Sequence, residues 1–212
     1  MTGLSQTISA PELSQAQRRR RLTLALIVGC AAVLALVNES LWHPGGPIHE
    51  IIEFTGLAFI VVAIVGRTWC TIYIGGRKKH VLVADGPYSL CRNPLYVFSI
   101  FGVTGIGLAT GSIMVGLILG LAFWFVFDRI VRREEVYLAE HHGAAFAEYA
   151  AHVPRWRPNF AGWSDVESLE AQPERIVVTF REAALMLIAL PLLELVEWAQ
   201  DSGWLPVLLH LP

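Results

Sequence analysis

Apolar positions in this 212-residue chain are gathered into long runs with no alternation, and the polar positions fall between them. The first run, Leu22 to Val37, follows four consecutive arginines, Arg18 to Arg21. That pattern inserts into a membrane, and without a small-x-small cleavage site before Asn38 it predicts an uncleaved first span. Asn38 to Ile48, with Pro44, Gly45, Gly46 and Pro47, reads as a short external loop. A second run covers Phe54 to Gly66 and resumes from Thr68 to Ile74. Arg67 interrupts it, and a long side chain of that kind can snorkel to the inner interface.

From Leu95 to Phe127 there are 33 residues without a charge. One span needs ~20 residues, so the run is too long for one and short for two straight ones. A hairpin resolves this, with Gly105, Gly107, Thr110, Gly111 and Ser112 supplying the bend and the second arm continuing through Asp128 towards Leu138. Ser112, Gly116 and Gly120, four apart, form a small-residue stripe that lets another helix approach closely. Asp128, Arg132 and Glu135 then share one face of the emerging arm. After Gly143 a short amphipathic segment, Ala144 to Ala151, is ended by Pro154 and Pro158. Ala161 to Pro173 is acidic and rich in small residues, as a linker is. Ile176 to Val196 is apolar, but its uninterrupted core, Ala183 to Leu193, contains Pro191, so it either spans with a kink or lies at the interface.

The prediction is an all-α, polytopic membrane helix bundle of four core spans, with a helical hairpin at about 95–127 and a C-terminal stretch as candidate fifth span. Its parts are a cytoplasmic segment 1–21, a membrane core 22–160, a linker 161–175 and a C-terminal helix and tail 176–212. Composition agrees: 54% of residues are hydrophobic and 16% charged, with mean hydropathy +0.51, against ~25% charged in a soluble domain. All 16 Lys and Arg fall in four clusters, around residues 18–21, 67–92, 129–157 and 175–181. Short loops rich in these residues stay cytoplasmic, which places the N-terminus, the 67–94 loop and the 129–175 segment inside. Cys30, Cys70 and Cys91 share no metal-type spacing, so no metal site or disulfide is expected.

The stretch His80 to Tyr96, H-V-L-V-A-D-G-P-Y-S-L-C-R-N-P-L-Y, lies where a basic loop meets the uncharged block. Pro94 fits the first turn of a helix, so Tyr88, Arg92 and Asn93 are delivered near a helix N-terminus, where backbone N–H groups favour an anion. Composition alone would read Arg92 as a positive-inside anchor, Tyr88 and Tyr96 as interfacial aromatics, and Glu134 and Glu135 as a solvated helix face. Only their ordered combination favours a site.

That combination, H-x-L-V-x-x-G-x-Y-x-x-x-R-x-P-x-Y, then an apolar hairpin, then E-E-x-x-L, G-x-x-x-x-x-Y and V-P, resembles the isoprenylcysteine carboxyl methyltransferase family of integral membrane enzymes, and is similar to the related phospholipid N-methyltransferases. It is carried by His80, Leu82, Val83, Gly86, Tyr88, Arg92, Pro94, Tyr96, Glu134, Glu135, Leu138, Gly143, Tyr149, Val153 and Pro154. The resemblance implies S-adenosylmethionine as cofactor and a lipophilic or lipidated acceptor taken from the membrane, with no nucleic acid and no metal. Residues His80, Leu82, Val83, Gly86, Tyr88, Arg92, Asn93, Pro94, Tyr96, Glu134 and Glu135 would line the cofactor, with Arg92, Tyr96 and Glu135 nearest the chemistry. By the chemistry of the groups, Arg92 suits a carboxylate, Glu134 or Glu135 suits ribose hydroxyls or an ammonium, and the tyrosines offer flat walls with a polar tip. A carboxylate acceptor, with a pKa near ~4, needs no base at neutral pH. An amine or thiol would need one, for which His80 or Glu135 are candidates.

Three positions depart from the family's pattern: Asn93 stands for a usual His, Phe98 for a frequent Gly and Phe146 for a frequent Tyr. Asn93 keeps hydrogen bonding but cannot titrate, and Phe98 is expected to narrow a groove that glycine leaves open. Phe125 and Asp128 also stand where arginine would hold an acceptor carboxylate. A membrane reductase of the sterol type using NADPH, and a non-enzymatic scaffold, stay open as alternatives.

Overall fold

The computed structural model describes residues 38–43, 45–75 and 81–212, with Gly29 and Leu36 besides. The rest of the expected first span, and His80, lie outside the described residues. Helix α1 runs Pro47–Ile74, the short α2 Pro87–Leu90, α3 Pro94–Leu108, α4 Ile113–His142 and α5 Ala144–His152. A 3-10 turn at Phe160–Gly162 precedes α6, Pro173–Ala184, and α7, Ala189–Asp201, which are joined by a second 3-10 turn at Leu185–Ile188. Pro191 lacks the N–H that would bond back to Leu187, which accounts for the tightened turn there.

Among the described residues three helical runs, Pro47–Ile74, Ile113–His142 and Pro173–Asp201, are long and apolar enough to cross a membrane, and α3 is a shorter apolar helix. This is the architecture of a polytopic membrane helix bundle. The C-terminal run leaves Val177, Phe180, Leu185, Ile188, Leu192 and Leu195 exposed, as lipid-facing side chains are when the surroundings are hydrocarbon. Its acidic end is tied back to α1, where the buried His49 lies 3.8 Å from both Glu53 and Glu197.

α1, α3 and α4 form the packed centre. Gly56 of α1 and Gly105 of α3 meet face to face, since a Cβ on either would come within 2.6 Å of the other's carbonyl oxygen. The expected small-residue stripe on α4 meets α3 in the same way: a Cβ at Gly116 would strike Leu108, and one at Gly120 would strike Thr104. The hairpin turns at 109–112, where Ser112 caps α4 by accepting from the Val115 amide at 3.3 Å.

One expectation needs correcting. Residues 38–48 are not wholly a loop: Asn38–Ser40 form strand β1, parallel to β2, Leu209–Leu211, with Glu39 opposite His210. Ser112 Oγ donates to the Pro212 carbonyl and Ser40 Oγ to that of Gly111, both at 2.8 Å, so the strand pair is fastened to the hairpin bend. Three-residue strands with no alternating pattern leave no signal in the sequence.

Candidate active site

At ~1.5 Å per residue, α3 is about 22 Å long and α4 about 45 Å. The two are antiparallel from a common bend, so the N-terminus of α3 ends beside the middle of α4, and the polar segment before Pro94 is drawn against the stretch where α4 turns charged. Gly86 makes that segment turn sharply, with φ +57°, and a Cβ there would lie 2.3 Å from the Tyr73 ring. Only glycine fits both conditions. Asn93 occupies the N-cap of α3 without a side-chain cap, its Nδ2 donating instead to the Arg155 carbonyl at 3.3 Å.

Here residues from the two separated motifs meet. Arg92 Nε lies 3.2 Å from Glu135 Oε1, with the two side chains 14% and 11% exposed. Arg155 closes on the other oxygen, Nε and Nη2 donating to Glu135 Oε2 at 2.9 and 2.6 Å. The Glu135 carboxylate raises the basicity of Arg155 further, chiefly through these hydrogen bonds. Tyr96 points to the same helix: its hydroxyl donates to Glu134 Oε1 at 2.9 Å and its ring packs on Phe127 with centroids 4.9 Å apart. The end of α5 and the segment after it stitch the halves together, since the Arg92 amide donates to the Pro154 carbonyl at 2.9 Å and an Arg92 guanidinium N–H to the Ala150 carbonyl at 3.3 Å.

Arg92 Nε and Glu135 Oε1 are both buried, and neither has a hydrogen-bond partner although they are 3.2 Å apart. They therefore meet as a buried ion pair whose hydrogen bond is not well aligned.

Other sequence-predicted residues go elsewhere. Tyr88 and Val83 join Cys70 and Tyr73 in a core cluster, packed by Trp69, Leu95 and Phe98. The Tyr88 hydroxyl is buried without a partner and burial holds it protonated well above the usual phenol range. Its backbone carbonyl accepts from the Tyr149 hydroxyl at 2.7 Å, and burial raises that hydroxyl's pKa too. Leu82 is half-buried beside them and Pro94 is buried at the start of α3. Phe98 packs over Gly66, where a Cβ would meet its ring at 2.2 Å, so its bulk is taken up by the glycine. The residue sequence reasoning missed is Arg155. Its signal was the V-P-R-W-R-P segment, where a cation sits between helix-breaking prolines directly after the V-P of the pattern. The neighbouring Trp156 donates to Asp128 Oδ1 at 3.1 Å, which locks that segment onto α4.

A membrane bundle whose hairpin brings an R-x-P-x-Y segment onto an E-E pair is the arrangement that the resemblance to integral membrane methyltransferases leads one to expect. The model of the phospholipid methyltransferase family matches residues 51–145. The nickel-cobalt-cadmium resistance protein NccN of Alcaligenes xylosoxydans xylosoxydans is 31% identical over 211 residues, 99% of this chain and 98% of that protein. The cobalt-zinc-cadmium resistance protein CzcN of Cupriavidus metallidurans is 40% identical over 126 residues, 59% of this chain and 57% of that protein. A protein-S-isoprenylcysteine O-methyltransferase of Schizosaccharomyces pombe is 31% identical over 94 residues, 44% of this chain and 40% of that protein. No solved structure matches. This chain belongs to the isoprenylcysteine carboxyl methyltransferase family.

Proposed function

We propose that this chain transfers the methyl group of S-adenosylmethionine to a lipophilic acceptor, a carboxylate such as an isoprenylcysteine-like group or an amino-lipid, at the cytoplasmic face of the inner or plasma membrane. The observation that carries the reading is the meeting of Arg92 with Glu135, which brings the R-x-P-x-Y and E-E motifs together at one largely buried place. Clustering of Lys and Arg at this end of the helices supports the cytoplasmic side.

Bound S-adenosylmethionine would supply a methyl group already activated on a sulfonium. The protein's share is alignment, an effect of ~7–11 kcal/mol when geometry is right. Arg92 would bind the carboxylate. Glu134 would accept from ribose hydroxyls or pair with the ammonium, and Tyr96 would form a wall between them. Glu135 faces guanidinium groups on both oxygens, so its part is to hold Arg92 and Arg155 in position. Leu82, Val83, Gly86, Asn93 and Pro94, together with His80, would shape the adenosine side. Closure of this end against water would strengthen each polar contact.

The test is a titration of purified protein with S-adenosylhomocysteine, which should stabilise it by ~2.7 kcal/mol at 100 times the dissociation constant. Arg92→Ala should weaken that binding while the protein still inserts. An absent shift at millimolar ligand, or a shift produced by NADPH instead, would reject the reading. Turnover assays across prenylated thiols, amino-lipids and fatty acids then identify the acceptor. The metal resistance in the relatives' names enters as an assay condition, turnover being compared with and without nickel, cobalt and cadmium ions.

A further inference from the structure

The Gly86–Leu90 turn leads the chain into Arg92, yet it has little support of its own. Its helix α2 is four residues long, too short to stand unaided, and Gly86 sits at φ +57°. What fixes the turn must come from elsewhere in the fold. One group of contacts comes from α5 and the segment after it, through the Tyr149 hydroxyl on the Tyr88 carbonyl and the Arg92 amide on the Pro154 carbonyl. A second comes from residues 159–169, which have no part in the site described above. The Asn159 amide donates to the Leu90 carbonyl at 2.9 Å, and the Gly86 amide donates to the Ser164 carbonyl at 2.8 Å. Ser164 gives its own amide to Ser89 Oγ at 3.1 Å. The same stretch is fastened to the end of α1. There the Tyr73 hydroxyl lies 3.0 Å from both carboxylate oxygens of Asp165, and Trp163 stacks on Trp69 with centroids 5.9 Å apart and planes at 24°.

We infer that residues 159–169 form a strap that positions the Gly86–Leu90 turn, and through it Arg92, for the cofactor, with Asp165 and Trp163 as positioning residues. The inference rests on the methyl-transfer reading above and adds the segment that sets how tightly the cofactor is held. The strap begins four residues after Arg155, and Arg92 follows Leu90 by two. The Asn159–Leu90 hydrogen bond therefore ties together the two chain segments whose arginines meet on Glu135. Tyr73 is also the ring against which Gly86 turns, so Asp165 holds a wall of the turn as well as the strap. Trp163 is 46% exposed and Asp165 lies at the surface, which puts the strap among the segments that open locally at low cost. An open strap leaves the turn to the contacts of Tyr149 and Pro154. A ligand that needs the turn in place binds the closed form better and, by reciprocity, closes it.

The experiment uses the full chain in lipid nanodiscs with S-adenosylhomocysteine as the probe. Asp165→Ala and Tyr73→Phe should each weaken its binding about tenfold, the scale of one hydrogen bond to a charged group. Asp165→Asn still accepts from the tyrosine and should restore the affinity. Glu167→Ala removes another exposed acid of the strap and should bind as the unaltered protein does. In hydrogen–deuterium exchange the ligand should slow residues 159–169 and 86–90 together. Tyr73 is buried and Asp165 exposed, so Asp165→Ala gives the answer even if Tyr73→Phe fails to fold. A strap that only adds stability would lower the unfolding temperature in Asp165→Ala and leave affinity unchanged, which overturns the proposal. An equal loss in Glu167→Ala, or strap exchange that the ligand does not slow, overturns it too. Unaltered protein that binds no S-adenosylhomocysteine overturns the methyl-transfer reading and the strap with it, whereas binding indifferent to Asp165→Ala removes the strap alone.

Discussion

Replacing Arg155 by alanine probes how the Glu135 carboxylate is held. Glu135 is 11% exposed and meets two guanidiniums, Arg92 at 3.2 Å and Arg155 through contacts of 2.9 and 2.6 Å. A hydrogen bond to a charged group contributes ~1.5–3 kcal/mol, and breaking a buried pair by removing one partner costs ~3–5 kcal/mol because the remaining charge is stranded. In Arg155→Ala the carboxylate is not stranded, since Arg92 stays beside it, and Arg155 is itself 30% exposed and partly screened. The expected loss is therefore about 2 kcal/mol. Glu135→Ala strands two cations and should cost ~3–5 kcal/mol. The double variant should be more stable than the sum of the two losses implies, with a coupling of at least ~1 kcal/mol. Unfolding by sodium dodecyl sulfate titration in mild detergent micelles measures all four proteins of the cycle. An Arg155→Ala loss as large as that of Glu135→Ala, or a coupling near zero, would refute the idea that the two arginines share one carboxylate.

Two further outcomes follow from the same geometry. Gly86→Ala combines a φ of +57° with a Cβ placed 2.3 Å from the Tyr73 ring, so it should destabilise by at least ~1–3 kcal/mol, measured by thermal unfolding; a neutral effect would mean the α2 turn is not fixed by that contact. For Cys91 the thiol rises from 9.0 to about 11 because burial disfavours the thiolate. The folded state then binds the proton more tightly than the unfolded one, so this contribution is present below pH 9 and is lost as pH rises through about 11. Alkylation of Cys91 by iodoacetamide in the folded protein should be slow at pH 8 and accelerate towards pH 11, and rapid reaction at pH 8 would contradict it.

The bundle was legible because hydrocarbon imposes a coarse, local rule: each span must be apolar over its own length and satisfy its own backbone. Runs at 54–74 and 95–127 and the start of α3 at Pro94 follow from that rule, and so do Thr110, Gly111 and Ser112 of the expected bend, whereas Gly105 and Gly107 lie within α3 and serve helix packing instead. The small-residue stripe at Ser112, Gly116 and Gly120 likewise marked where helices approach. The R-x-P-x-Y and E-E patterns named the residues that could form a site, although sequence spacing could not say which would touch.

Contacts between distant segments were decided by the tertiary structure alone. Arg155 reaches Glu135 only because prolines on either side of it turn the chain after α5 back beneath α4, and Tyr88 enters the core because Gly86 turns the segment against Tyr73. The partner of β1 lies about 170 residues away, and a pairing set by the register of two short strands has no periodicity to announce it. Local preference fixes what each stretch becomes; only packing fixes which atoms of separate stretches come within hydrogen-bond reach.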